Sequence, residues 1–288
     1  MSANSSNLLR VASFDLELAK EIPSGATPEV LNSLRPYGIS CAAIQLATVN
    51  IETRQISYHP VDMLYGCCNS DDLSSQSAAA MSWKNCEVAV HKLVGYQNAG
   101  YIPLTWNGAF FDFDVLAEES GLYQTVHALS WNHIDMMVHF ATIKGFRLGI
   151  EAAHKGLGYK GKLEGMHGEF APIMWAGNNE RLLELERQDL AAMSLVEKRQ
   201  MCLSYVHQDT VMAVEVFAAS LVNKGFTWIS KKGRANRFDL PGNWMTVAEC
   251  SLRPVPAHSW METPLTWPSL VGWMAVEPQD NVPSSGII

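Results

Sequence analysis

Two carboxylates, Asp15 and Glu17, stand two residues apart at the end of the first apolar run, residues 8–18. This run is typical of a buried strand, and side-chain alternation along a strand points both carboxylates to the same side. Their mutual repulsion destabilises such a site unless a cation neutralises it. Because paired oxygen ligands suit magnesium or manganese, the spacing predicts a divalent-metal site.

Two distant segments supply further carboxylates. Asp112 lies in the motif N-x3-FD-x3-L, which starts at Asn107. Tyr205 and Asp209 are four residues apart in the helical run 195–223, so that they share a helix face. Four carboxylates from three segments can therefore converge on one spot, with a tyrosine beside them.

Converging carboxylates that hold two divalent ions are typical of enzymes that hydrolyse a phosphodiester bond by in-line attack. One ion lowers the pKa of a bound water, the second stabilises the leaving oxygen, and a nearby tyrosine can orient or deprotonate the water. Each motif alone also has a structural interpretation, as a strand-end acid pair, an N-capped helix or a solvated pair on a helix. All three motifs in one chain favour the chemistry.

The segments FDLEL, N-x3-FD-x3-L and Y-x3-D occur in this order, with 90 residues from Glu17 to Asn107 and 97 from Asp112 to Asp209. They resemble the three motifs of the DEDD (DnaQ-like) 3'-5' exonuclease superfamily. Tyr205, four residues before the last aspartate, makes the chain similar to the DEDDy branch of this superfamily. The histidine branch would carry its base at position 204, which is a serine here.

The resemblance extends over about residues 11–223 and includes HIDMM and the loop GLGYKGKLEGMHGEF. It is nearest to stand-alone relatives of the proofreading exonuclease domain of family B DNA polymerases. It implies an α/β, RNase H-like fold with a five-stranded mixed sheet flanked by helices. It also implies two divalent cations, Mg2+ or Mn2+, and stepwise release of 5'-nucleoside monophosphates from a 3' end.

The resemblance also implies roles for individual residues. The expected metal ligands are Asp15, Glu17, Asp112 and Asp209, and the expected water-activating group is Tyr205. Leu18 is expected near the terminal base, and Asn107 and Phe111 near the last nucleotides. His207 falls outside the motif register and receives no role as a base.

Local basic clusters leave two interpretations open. Lys162 belongs to a glycine-rich stretch with Lys155, Lys160 and Arg147, which is either a solvated loop or a phosphate-contacting rim of the site. We expect Lys162 to contact substrate. A second cluster after Trp228 comprises Lys231, Lys232, Arg234 and Arg237. It is either a charged turn or a contact for single strands.

The remaining acids and histidines near the motifs have more ordinary interpretations. Asp114 starts the same helix as Asp112 and is expected to be a capping or solvated acid. Asp135 is expected to be structural, with His133 and His139 as local hydrogen-bonding groups.

The elements that must position these residues follow an α/β order. Strands are predicted at 8–18, 39–49, 54–59, 101–106 and 131–138, with 39–59 forming a hairpin. Helices are predicted at 75–94, 109–119, 178–190 and 195–223. A polar tail (1–10) precedes an exonuclease domain (11–223), and a Trp/Pro-rich extension (224–288) is expected to pack on the domain.

Composition restricts the partners. The chain has 288 residues, of which 48% are hydrophobic and 17% charged, so it can bury a large core. Its net charge of −8 gives no global field to attract a polyanion, and a nucleic acid must be held locally. No apolar run predicts a membrane span or a secretory signal, and a cytoplasmic location with reduced cysteines is expected.

The function predicted is 3'-5' hydrolysis of single-stranded DNA or RNA. The alternatives are a ribonuclease or short-oligonucleotide hydrolase on the same scaffold, and a catalytically weak module that binds nucleic acid or a partner. Because nothing in the chain resembles a polymerase, a polymerase or repair partner would act in trans.

Overall fold

A mixed β-sheet forms the centre of the protein in the computed structural model, which describes residues 7–66, 72–75, 79–163, 165–230 and 232–275. Its strands are β1 (Leu8–Leu18), β2 (Ile39–Asn50), β3 (Gln55–Tyr58), β4 (Asp62–Tyr65), β5 (Ile102–Thr105) and β6 (Ile134–Asp135). Strand β1 pairs antiparallel with β2 and parallel with β5, which in turn pairs with β6. Strands β3 and β4 share the outer edge of β2, so that six strands fill five positions. The predicted α/β class and mixed sheet are confirmed.

Helices cover both faces of this sheet. They are α1 (Pro28–Leu34), α2 (Trp83–Asn98), α3 (Asp112–Ser120), α4 (Tyr123–Trp131), α5 (Met136–Lys144), α6 (Ile150–Gly156), α7 (Ala171–Ala176), α8 (Asn179–Glu184), α9 (Gln188–Ala191), α10 (Leu195–Asn223), α11 (Val247–Ser251) and α12 (Trp267–Val271). Among the described residues, none of these helices is long and apolar enough to cross a membrane.

The alternation of side chains in β1 divides the core. Phe14 and Leu16 pack on one face of the sheet with residues of α2 and α3, including Leu93 and Phe113. On the other face, Val11 packs in a cluster with residues of α10. Asp15 and Glu17 continue the Val11 series, and they therefore lie on the face that α10 covers.

The long helix α10 agrees with the prediction for residues 195–223. A capping box formed by Ser194 and Glu197 starts it, and Lys224 ends it in the left-handed conformation. Its buried stripe includes Val206 and Phe217, which pack on the sheet. This packing fixes which residues of α10 face the end of β1.

Three secondary-structure predictions differ from the structure. The predicted strand 131–138 is limited to β6, because the Asp135 carboxylate caps α5 by accepting the N–H groups of Met137 and Val138 at 3.0 and 3.1 Å. The predicted helix 178–190 is divided into α8 and α9, with Glu186 between them at φ 58°. The predicted helix 75–94 begins only at Trp83, after the N-cap Ser82, and residues 76–78 lie outside the described residues.

The C-terminal extension begins with a hairpin of β7 (Gly225–Ile229) and β8 (Ala235–Asp239). Gly225 is required at its start, since its φ is 122° and a Cβ would lie 1.9 Å from the Phe238 carbonyl oxygen. Phe238 and Trp244 pack with Phe140 in the core. The domain boundaries themselves stay a prediction, and residues 1–6, 231 and 276–288 lie outside the described residues.

Candidate active site

Three carboxylates meet at the end of the central strand. Asp15 and Glu17 of β1 and Asp209 of α10 offer oxygen atoms that all lie within 4.8 Å of one another. Strand alternation supplies the first two, and the packing of α10 across the sheet brings in the third. These groups line one cleft of about 610 Å³.

Asp112 lines the same cleft but is not one of the three carboxylates that lie within 4.8 Å of one another. It begins α3, and its Oδ1 accepts the backbone N–H of Leu16 at 3.3 Å. The side chain is buried and lines the same cleft. Burial, and then the charge of Asp135, raises the pKa of Asp112 to about 7.

The negative charges of the cluster are poorly compensated. Burial raises the pKa of Asp15 well above its ordinary value, and the charges of Asp112, Asp209 and Glu17 add to this effect. Burial and the charge of Asp209 likewise raise the pKa of Glu17. A positive ion among these groups would offset the mutual repulsion and oppose both shifts.

The donor set fits a divalent cation. Its donors are carboxylate oxygens, which magnesium and manganese prefer. In addition, Asp209 Oδ1 is buried and has no hydrogen-bond partner among the described residues. A buried carboxylate with an unpartnered oxygen, close to two further carboxylates, is the arrangement that a bound cation would satisfy.

Lys162 forms hydrogen bonds both to Tyr205 and to the acidic cluster. Its Nζ donates to Tyr205 Oη at 2.7 Å and to Asp209 Oδ2 at 2.5 Å. Burial opposes the charge on Lys162, but Asp209 and Tyr205 outweigh it and hold the pKa of Lys162 above its usual range. Burial and then Asp209 raise the pKa of Tyr205, so the phenol is protonated near neutral pH.

The predicted substrate residues lie around the cluster. Asn107 and Phe111 line the same cleft as the carboxylates. Asn107 has φ 76°, and its backbone N–H is held by Asp135 Oδ1 at 3.0 Å. Leu18 instead lines a smaller adjoining cleft of about 260 Å³, together with Glu17 and Phe111.

Several neighbouring polar residues point to other partners. The His207 ring bonds the Gln45 side chain at 2.8 Å. Asp114 forms an ion pair with Arg35. Asp135 accepts backbone N–H groups from two elements.

His133 and His139 form local hydrogen bonds, and the two other lysines of the glycine-rich stretch lie outside the cleft. His133 bonds Thr105 Oγ1 at 2.9 Å, and His139 Nδ1 accepts the N–H of Met245 at 3.1 Å. Lys155 pairs with Glu151, and Lys160 is exposed.

The cleft is also lined by residues that had no role in the sequence-based prediction, among them Trp106, Glu151 and His167. Glu151 lies in the first turn of α6, where it accepts the backbone N–H of Lys162 and pairs with Lys155 at 2.7 Å. It therefore helps to hold the loop that carries Lys162. An acid in the first turn of a helix is a recognisable signal, but it does not indicate what the acid faces.

The fold and the cleft together define an α/β protein with an acidic centre suited to a divalent cation. The family model RNase_H_2, described as RNase_H superfamily, matches residues 47–218, more than half of the chain, and the chain belongs to the RNase H superfamily. A search of curated proteins finds no match.

Membership of this superfamily indicates a nucleic-acid hydrolase, and nucleases of this class generally use divalent metals. The matched range contains Asp112, Lys162, Tyr205 and Asp209. The matched range begins within β2 and therefore leaves out β1 with Asp15 and Glu17. The evidence that these two carboxylates belong to the same site is their position in the structure, close to Asp209.

Proposed function

We propose that the chain is a metal-dependent 3'-5' exonuclease of the DEDDy type, which releases 5'-nucleoside monophosphates from single-stranded DNA or RNA. The observation that carries this proposal is the meeting of Asp15, Glu17 and Asp209 within 4.8 Å. Tyr205 supports it, because this residue belongs to the same cleft and shares Lys162 with Asp209.

In this proposal the four carboxylates, Asp15, Glu17, Asp112 and Asp209, hold two divalent ions of magnesium or manganese. When bound, such ions activate water and stabilise the charge of the leaving oxygen. The carboxylates must be ionised to act as ligands. Their raised pKa values therefore predict that metal binding releases protons.

Tyr205 orients the attacking water through its hydroxyl group. Since Lys162 donates a hydrogen bond to Tyr205 Oη, this oxygen is an acceptor there and the hydroxyl keeps its own proton as a donor. The raised pKa of Tyr205 keeps this proton in place near neutral pH. A positioning role therefore fits this tyrosine better than that of a strong base.

The substrate end lies across the two adjoining clefts. We propose that Leu18 and Phe111 contact the terminal base, because both line the smaller cleft beside Glu17. Asn107 and Phe111 face the larger cleft, where the last nucleotides would lie. Lys162 adds positive charge next to the carboxylates.

The proposal is tested by substituting the proposed ligands. Asp15→Asn and Asp209→Asn are each expected to lower hydrolysis of a labelled oligonucleotide in Mg2+ or Mn2+ by about 1,000-fold or more. Asp239→Asn is the matched control, because its side chain is 76% exposed and pairs only with Arg237 among the described residues. Wild-type rates in either cluster variant would overturn the proposal.

The direction of hydrolysis needs a separate measurement. With a 5' label, stepwise removal from the 3' end produces a ladder that shortens by one nucleotide at a time. A single internal cut would contradict the exonuclease assignment. Matched DNA and RNA oligonucleotides in the same assay determine the sugar preference.

A further inference from the structure

Arg147 lies in the loop between α5 and α6 and lines the same cleft as the carboxylates. Its guanidinium stands 4.4 Å from the centre of the Phe110 ring. It also donates from Nη2 to the backbone carbonyl of Ser269, in α12 of the C-terminal extension. The side chain is thus held from two sides at the wall of the cleft.

The charge of Arg147 has no carboxylate partner within ion-pair distance among the described residues. This separates it from Arg35, Arg181, Arg187 and Arg237, which all pair with aspartate or glutamate. An arginine presents five N–H donors. The Ser269 carbonyl accepts from one nitrogen and brings no negative charge, so Arg147 keeps its capacity to bind an anion.

The wall around Arg147 is braced by other contacts. Trp106 Nε1 donates to the carbonyl of Leu148 at 2.9 Å, which joins this loop to the end of β5. Trp273 Nε1 of the extension donates to the carbonyl of Ala109 at 3.1 Å. An arginine fixed in this way loses less conformational freedom when it binds a phosphate.

Arg147 and Lys162 belong to different walls of the cleft. Lys162 contacts Tyr205 and Asp209 of α10, where the bond to be cut must lie. Arg147 contacts Phe110 and Ser269, in the wall that also carries Asn107 and Phe111. A strand that enters from this wall would bring a second phosphate to Arg147.

We propose that Arg147, supported by the C-terminal extension, binds the phosphate next to the scissile one on its 5' side. This inference rests on the proposed function and extends it to substrate length. The site selects a strand with at least two phosphates over one with a single phosphate. The extension thereby acts in substrate recognition as well as in packing.

Two substrates that differ by one phosphate test the proposal. TpT contains only the bond to be cut, whereas TpTpT contains one further phosphate. We expect Arg147→Gln to raise the KM for TpTpT by roughly 10-fold to 100-fold, because one charge-assisted contact is lost. The kcat for TpTpT and both constants for TpT are expected to stay near the wild-type values.

Two more variants sharpen this experiment. Arg147→Lys keeps the charge but loses the planar fork, and an intermediate rise in KM is expected. Arg54→Gln makes the same change of charge at the exposed β2–β3 turn and is expected to leave KM unchanged. Thermal unfolding of all three variants checks that the fold is retained.

Equal losses on TpT and TpTpT in Arg147→Gln would overturn the proposal, and so would an unchanged KM for TpTpT. Binding of dye-labelled TpT and TpTpT in Ca2+, followed by fluorescence anisotropy, gives a readout that does not require turnover. If the wild-type protein cleaves neither these substrates nor a longer labelled oligonucleotide in Mg2+ or Mn2+, the proposed function fails. Loss of the affinity difference in Arg147→Gln would still support the phosphate site, and its retention would contradict it.

Discussion

At the scale of single residues, the cleft combines groups that destabilise the folded protein when no cation is bound. Asp15, Glu17 and Asp209 repel one another, and Asp209 Oδ1 lacks a hydrogen bond among the described residues. Such an arrangement is favourable only when a positive charge joins it. Lys162 supplies one such charge, and it bonds Tyr205 at the same time.

Tyr205 provides the clearest test at this scale. We expect Tyr205→Phe to lower kcat by about 100-fold to 10,000-fold, since the hydroxyl that we propose orients water is removed while the carboxylates remain. Manganese should still raise the melting temperature of this variant as it does for the wild-type protein. The assay compares kcat on a labelled oligonucleotide with the thermal shift on adding manganese.

Tyr96→Phe is the matched control for this substitution. The Tyr96 hydroxyl also bonds an aspartate, Asp62, but it lies outside the cleft that carries the carboxylates. Its removal should leave kcat unchanged. A wild-type kcat in Tyr205→Phe would exclude the proposed role of this hydroxyl.

At the scale of elements, Asp135 connects the helix α5 to the loop that carries Asn107 and Phe111. It accepts N–H groups from Met137 and Val138 of α5. It also accepts N–H groups from the loop, at Asn107 and Ala109, at 3.0 and 2.8 Å. One buried carboxylate thus caps a helix and fixes one wall of the cleft.

Substitution of Asp135 should affect both stability and substrate binding. Asp135→Ala leaves buried backbone donors unsatisfied, and we expect the free energy of unfolding to fall by about 3 kcal/mol. Because Asn107 and Phe111 would lose their support, KM should also rise. Chemical denaturation and steady-state kinetics measure the two effects.

Asp189→Ala serves as the control for this change, because Asp189 is 61% exposed and forms a surface ion pair with Arg187. Its loss should leave the free energy of unfolding close to the wild-type value, because exposed ion pairs contribute little. If Asp135→Ala were as stable as this control, the connecting role of Asp135 would be wrong.

The same elements show how far the sequence predicts the molecule. Alternation in β1 and helical spacing in α10 are local patterns, and the strand 8–18 and the helix 195–223 were predicted from them correctly. The apolar run 131–138 resembles a strand equally well. Residues 136–138 are helical because the Asp135 carboxylate caps α5. This carboxylate is also held by two backbone N–H groups of a loop that is distant in sequence.

Contacts between distant segments were harder to predict. Glu151 is brought to the cleft by the loop between α5 and α6, and Trp106, which follows β5, bonds the Leu148 carbonyl of that same loop. Likewise, the sequence contains Arg147, Phe110 and Ser269 without any spacing that relates them. Side chains brought together by tertiary structure alone leave no periodic signal.

At the scale of the whole molecule, the acidic cleft should make stability depend on pH and on metal. The pKa of Asp112 is raised from 3.8 to about 7, and the pKa values of Asp15 and Glu17 are raised as well. The folded protein therefore binds more protons than the unfolded chain near neutral pH. It follows that stability falls as the pH rises through the folded-state pKa values.

The window from pH 7.5 to 8.5 isolates this effect. Burial lowers the pKa values of His133 and His139 from 6.5 to about 4 and also lowers the pKa of His207, so that these residues produce the opposite slope mainly below about pH 7.5, where the unfolded chain still protonates them. Asp189, with its pKa lowered to about 2 by Arg187, acts at still lower pH. In a chelator, we therefore expect the melting temperature to decrease from pH 7.5 to pH 8.5.

Divalent metal should reverse this loss, because it binds the folded protein and replaces the missing positive charge. At a concentration 100 times its dissociation constant, a bound ion adds about 2.7 kcal/mol to the stability. Asp112→Asn should flatten the slope in chelator, whereas Asp239→Asn should leave it unchanged, since Asp239 is an exposed partner of Arg237. A melting temperature that rises with pH in chelator, or that does not respond to Mg2+ or Mn2+ at pH 8, would show that these carboxylates do not form a cation-binding centre.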